Sequence, residues 1–298
     1  RDLVGEVIAA RRAELEAQEL DTPEDRRPPP ADLLGVLLSS STGGGTLSDE
    51  DILSVLFDLV IAGSDTTAST IAATLFLLHT HEDPDVLRRA VAEASILDST
   101  GLAAVEDVAS ALPYLTACCK ETLRLYPPVP FIGRRSVSDA EVAGFHVEKG
   151  SVLCWSPWFL GRDAREWVRP SEFRPERWDP QEEDWWLAPA VTRDQGVPNG
   201  TNSMARAGRE ENAVALSEGD RRNRHPFAWL PFGAGPRGCL GTRLGLNEAV
   251  VATALLLKDF HFEFDRAPPL RFKYDLTLNL EGSCTAKVTP REGRYGGP

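Results

Sequence analysis

Histidine and cysteine are scarce here, and neither is spaced to build a metal cage. The five histidines and five cysteines of this 298-residue chain contain no C-x-x-C and no H-E-x-x-H spacing, which excludes the common zinc sites. His79 and His81 stand two apart and leave a helix on different faces. An odd cysteine count makes no paired framework, so the thiols read as reduced. Adjacent Cys118 and Cys119 fall in a helical pattern and are expected in the core. Positive charge is in deficit, with 32 Lys and Arg against 45 Asp and Glu and a net charge of −13, which argues against nucleic-acid binding. No signal-peptide pattern opens the chain, and the apolar run Ala249 to Leu257 is too short to span a bilayer. The sequence starts with Arg1 in the middle of a charged helical pattern. It therefore reads as the C-terminal portion of a larger protein, intracellular, with any membrane or plastid association residing in a preceding region.

What is present is mostly helical periodicity. Residues 1–20 read as a helix, followed by a charged, proline-rich break from Asp21 to Pro30 and a flexible run from Ser39 to Thr46. Ser48 and the acidic residues after it cap a long helix running to about Thr80. Asp83-Pro84 starts another helix, a short one precedes Pro113, and Tyr114 to Tyr126 forms one that stops at Pro127-Pro128. Segments from Val137 to Leu153, turning at Gly144 and Lys149-Gly150, alternate as short antiparallel strands. Leu240 to Lys258 is helical again, and Phe260 to Thr289 alternates as strands. The fold class is mainly α with small antiparallel β-sheets. Residues 179–226 lack periodicity and read as a mobile surface insertion in one domain covering 1–298.

The most informative segment is Phe232-Gly233-Ala234-Gly235-Pro236-Arg237-Gly238-Cys239-Leu240-Gly241. It sets one cysteine in a glycine-rich loop just before a helix, with an arginine two residues upstream. Thiolate is the metal-binding form of cysteine, and positive charge and a helix N-terminus both favour it. Glycines let the backbone lie against a flat ligand. Such a thiolate suits an axial ligand to haem iron, where it pushes electron density to favour O–O cleavage. The spacing F-x-x-G-x-R-x-C-x-G is the signature of the cytochrome P450 family of haem-thiolate monooxygenases, and the chain resembles that family at every fixed position. At ordinary residue frequencies such a coincidence arises on the order of once per several million windows.

Three further segments carry the resemblance. Ala62-Gly63-Ser64-Asp65-Thr66-Thr67 interrupts an apolar helix with poor helix formers and resembles the family's A/G-G-x-D/E-T-T. There Thr66 and Asp65 are expected to manage protons at the oxygen side, with a threonine hydroxyl bonding back one turn. Glu121-Thr122-Leu123-Arg124 matches E-x-x-R, and Phe173 to Trp178 resembles the P-E-R-F/W segment. The resemblance implies a buried Glu121–Arg124–Arg177 network with a structural role. It further implies that Arg134, preferred over Arg135, and Arg237 hold the haem propionates, and that Phe232 and Gly233 lie against the cofactor. The phrasing is eukaryotic, with a loose likeness to plant and algal carotenoid ring hydroxylases.

The function so implied is haem-dependent insertion of one oxygen atom of O₂ into a C–H bond of a small apolar substrate. Cys239 is the iron ligand, heme b the cofactor, and an NADPH-dependent reductase or ferredoxin the electron donor. Phe57, Val60, Ile61 and Val129 to Ile132 are candidates for the substrate side, and the basic cluster Arg221, Arg222, Arg224, Arg237 and Arg243 for docking of an acidic redox partner. Two alternatives stay open: a haem-thiolate isomerase or peroxide-rearranging enzyme, and a non-catalytic haem-binding fragment. The 298 residues by themselves are expected to lack monooxygenase activity.

Overall fold

Short polar signals set the helix starts, and the computed structural model places a helix behind each of them. It describes residues 2–21, 32–39, 41–42, 45–97, 107–179, 225–265, 272–274, 277–280 and 285–291. Most of the expected insertion at 179–226, Cys284 and Leu276 lie outside these. The chain divides into two compact units, residues 1–65 and 66–298.

The first unit holds α1 (Asp2–Asp21), α2 (Leu33–Ser39) and the start of α3 (Asp49–His79). Ile8, Leu38 and Ile52 form its core, with Leu34, Leu37 and Leu56 packed against them. Asp32 accepts the Gly35 amide at 2.7 Å and pairs with Arg11 at 2.7 Å, capping α2 and tying it to α1. Ser48 and Asp51 cap α3 reciprocally: Ser48 Oγ accepts the Asp51 amide at 3.1 Å, and Asp51 accepts from Ser48 N at 3.3 Å. The run 39–46, expected to be irregular, instead contains a small hairpin of β1 (Ser41–Thr42) and β2 (Gly45–Thr46).

In the second unit the final turns of α3 pack with α4 (Pro84–Ala94), α6 (Pro113–Leu125) and α8 (Thr242–Asp259); the single turns α5 (Val108–Ala111) and α7 (Pro157–Leu160) lie between them in sequence. Leu75 to Leu78, Val86, Ala90, Leu115, Cys118, Cys119, Val250 and Leu257 share one core. Glu93 of α4 caps α6 from outside, accepting the Tyr114 and Leu115 amides at 2.9 and 2.7 Å. Among the described residues every sheet is a two-stranded antiparallel pair. In this unit these are β3 (Ile132–Arg135) with β6 (Val152–Trp155), β4 (Ala140–Val142) with β5 (Phe145–Val147), β7 (Phe260–Phe264) with β10 (Ala286–Pro290), and β8 (Phe272–Tyr274) with β9 (Leu278–Leu280). Ala143 and Gly144 sit at φ 52° and 81°, the left-handed pair that turns a tight hairpin.

Among the described residues α3 is the one helix long and apolar enough to cross a membrane by length and composition. Its second half belongs to the protein core, since Leu75 to Leu78 are each 7% exposed or less.

His79, at the end of α3, faces Phe262, Phe264 and His261 at ring distances of 5.3, 6.1 and 5.3 Å. Its Nδ1 meets the Leu75 carbonyl at 2.8 Å, while Nε2 is buried without a hydrogen-bond partner. Burial, with small contributions from His261 and Arg291, lowers its pKa to about 4. The unfolded chain, with an ordinary value of 6.5, binds the proton more readily, so stability is complete above about pH 6.5 and declines as pH falls towards 4. Discounted for partial solvent access, the loss should be of order 1 kcal/mol, about 2–4 °C in Tm. His79→Phe should flatten that acid limb in a pH series of thermal melts. An unchanged slope would remove His79 as its source.

Candidate functional site

The Cys239 loop has backbone geometry that only its glycines can adopt freely. Gly233 and Gly235 have φ of 68° and 73°, in the left-handed region. A 3-10 turn over Gly235–Arg237 follows, and the Cys239 amide donates to the Phe232 carbonyl at 2.8 Å, closing the loop. Thr242 Oγ1 donates to the Cys239 carbonyl at 2.8 Å as α8 begins. The result is an exposed thiol at the entrance to a helix, flanked by Leu240 and Leu244 at 86% and 64% exposure.

Arg134 joins this loop through a long hydrogen bond, Nη2 to the Arg237 carbonyl at 3.3 Å, and its guanidinium stacks over Trp155 at 5.1 Å. Arg135 turns away to the Gly150 carbonyl at 2.9 Å. Neighbours on a strand point to opposite faces, so only one of the two can meet the loop. Both Arg134 and Arg237 are exposed.

Thr67, in the second unit, comes close to the same helix start. A Cβ on Gly245, in the first turn of α8, would lie 3.7 Å from Thr67 Oγ1. Thr66 is half-buried and its carbonyl accepts Thr70 Oγ1 at 2.8 Å; Asp65, one residue earlier, is exposed. Although the surrounding sequence is apolar, Ala62 to Asp65 are all exposed on a continuous helix. Phe57, Val60 and Ile61 are exposed on α3 at 64%, 66% and 46%. Phe131 is exposed as well, while Val129 and Ile132 are half-buried.

Beneath the loop lies the most polar part of the interior. Glu121, Arg124 and Arg177 are at most 1% exposed. Arg124 grips Glu121 twice, at 2.8 and 2.7 Å, and Arg177 Nε reaches Glu121 Oε1 at 3.0 Å. The Nη groups of Arg124 and Arg177 also donate to the carbonyls of Gly161, Pro170, Glu172, Val168 and Arg169. This satisfies two cations around one anion, the condition under which buried charge is tolerable. Burial still lowers the Arg177 pKa. Gly161 packs so tightly here that an added Cβ would meet the Arg124 carbonyl at 2.3 Å.

Two tryptophans connect this network to the loop; Trp178 ends the P-E-R-F/W-like segment, while Trp229 was not identified from sequence. Trp178 donates to Glu121 Oε2 at 3.0 Å and meets Trp229 edge-on at 5.1 Å; Trp229 in turn meets Phe232 at 6.1 Å. The available signal was a tryptophan placed directly before Leu230-Pro231-Phe232.

The donor set fits haem. Among the described residues no three His, Cys, Asp or Glu side chains cluster to hold an ion by themselves. An exposed thiol suits a metal whose other ligands come from a macrocycle, and exposed Arg134 and Arg237 at the loop suit that macrocycle's carboxylates.

Comparisons with known proteins agree with this chemistry. The family model described as Cytochrome P450 matches residues 1–282. Cytochrome P450 4V2 of Mus musculus is 34% identical over 294 residues, covering 96% of this chain and 48% of its own length. Probable cytochrome P450 4s3 of Drosophila melanogaster is 30% identical over 300 residues, 98% and 50% of the two chains. Flavonoid 3'-monooxygenase of Arabidopsis thaliana is 33% identical over 221 residues, covering 74% and 36%. The crystal structure of the cytochrome P450DA heme domain is similar with a TM-score of 0.68 at 27% identity, covering 100% of this chain and 56% of that one. The chain spans about half the length of the curated relatives it matches.

Proposed function

The chain belongs to the cytochrome P450 family, and on that footing we propose that it carries the haem-binding part of a monooxygenase acting on a C–H bond of a small apolar substrate. The observation that supports this most is the exposed Cys239 thiol, presented on a glycine loop at the start of α8. Thiolate-bound haem supplies the oxygen-activating chemistry when present.

The protein residues do the rest. Cys239 is held ready by the hydrogen bond its amide donates to the Phe232 carbonyl and by the one its carbonyl accepts from Thr242 Oγ1. Phe232 and Gly233 form the surface against which the cofactor lies, and Arg134 and Arg237 orient it through its carboxylates. Thr66 Oγ1 holds a water at the oxygen side, and the Asp65 carboxylate exchanges its proton with solvent. Exposed Arg243, in the first turn of α8, offers an acidic electron-transfer protein a basic contact.

Expressed within its whole open reading frame, loaded with haem and supplied with an apolar substrate, NADPH, a reductase and isotopically heavy dioxygen, the protein should place one heavy oxygen atom in its product. Unlabelled product would favour a peroxide-rearranging reaction and reject this reading.

Thr66→Ala should leave haem binding nearly intact while reductant consumption continues, peroxide accumulates and product falls by roughly tenfold or more. Coupling of reductant to product at the wild-type ratio would exclude Thr66 from proton handling.

A further inference from the structure

Cys239 has to be held to within about 0.5 Å to serve as a ligand, yet its loop is glycine-rich and its thiol is exposed. Something rigid must therefore anchor Phe232, whose carbonyl accepts the Cys239 amide. Trp229 meets that need from three directions. Its Nε1 donates to the carbonyl of Lys120, the residue before Glu121, at 3.3 Å. One ring edge meets Trp178 at 5.1 Å and 62°, and Trp178 is itself bonded to Glu121. On the other side Phe232 lies at 6.1 Å and 72°. Edge-to-face pairs resist both sliding and tilting, because rotation brings like parts of the ring quadrupoles together.

We infer that Trp229 is a positioning residue for the Cys239 thiolate, transmitting the rigidity of the buried Glu121–Arg124–Arg177 network to the ligand loop through Trp178 and Phe232. This rests on the reading that Cys239 ligates haem. Without Trp229 the loop keeps its own turn and its Thr242 bond but loses its link to α6, and the sulfur gains room to leave the iron as a neutral thiol.

The test uses haem-loaded protein, reduced and CO-bound, and reads the ratio of red-shifted thiolate Soret band to unshifted band. Trp229→Phe keeps an aromatic ring but loses the indole hydrogen bond, and should lower the ratio about fivefold. Trp229→Leu loses the ring contacts too and should lower it by about tenfold or more. Phe264→Leu, in the cluster around His79, removes aromatic contacts that do not involve Trp229, Trp178 or Phe232 and should leave the ratio unchanged. If Trp229→Leu does not fold, Trp229→Phe carries the test alone. A wild-type ratio in the Trp229 variants would overturn the inference, and so would an equal fall in Phe264→Leu. Absence of the red-shifted band from the wild type would instead overturn Cys239 as ligand, and the inference with it.

Discussion

With Cys239 replaced by alanine, the red-shifted Soret band of the reduced, CO-bound protein is expected to vanish entirely. No other described thiol is placed to take over. Cys118 and Cys119 are fully buried, and burial keeps both protonated, raising Cys119 to about 12 and Cys118 also well upward. Only the thiolate is a good ligand, so these two are chemically silent. Cys154 is exposed but lies in strand β6 opposite Gly133, with no glycine loop to let a flat cofactor approach. Haem content should fall less than the band does, because Arg134 and Arg237 are unchanged. The spectrum and the haem stoichiometry together decide the matter. A persisting thiolate band in Cys239→Ala, or a histidine-type band in the wild type, would remove Cys239 from its assigned place.

Glu121→Ala should be the most damaging single change to stability. It deletes the only carboxylate among three fully buried charges and leaves Arg124 and Arg177 side by side with their carbonyl partners alone. Removing one partner of a buried pair costs about 3–5 kcal/mol. In a unit of this size that corresponds to a fall in Tm of roughly 6–20 °C. Glu121→Gln, which keeps one acceptor oxygen, should fall between. Asp85 and Arg88 give the contrast: they are paired at 3.0 Å with the same spacing of three, but both are exposed. Arg88→Ala should leave the thermal melt essentially unchanged, because solvent screens an exposed pair. Equal losses in Glu121→Ala and Arg88→Ala, by thermal melts, would mean that burial does not set the value of this network.

Helix limits were legible because short-range chemistry writes them. Ser48 with Asp51, Asp83 before Pro84, and Pro127 after Tyr126 each act within one turn of the boundary they set. Strand β3 was missed because Ile132-Gly133-Arg134-Arg135 has no apolar alternation; it exists by pairing with β6. The Cys239 loop was legible for the opposite reason: its glycines and its ligand chemistry are local, so the motif is contiguous. The exposure of Ala62 to Asp65 was not, because burial is a property of what packs on a helix rather than of the helix. Trp178 and Trp229 are far apart in sequence, and nothing local announces that their rings meet. Spacing favoured Arg134 over Arg135 as the arginine beside the Cys239 loop, and strand alternation explains why only Arg134 bonds that loop.

The cap that Glu93 places on α6 has a consequence for the order in which the chain assembles. The first amides of a helix have no acceptor within it, and α6 borrows its acceptors from a different helix. The segment bearing Glu121 and Arg124 therefore gains its full stability only once α4 has docked, which makes α4 and α6 one cooperative opening unit rather than two. The amide protons of Tyr114 and Leu115 are its reporters. Their exchange with solvent deuterons should accelerate together in Glu93→Gln, and the acceleration should spread along α6 to Arg124. If only those two amides responded, the helices would open independently.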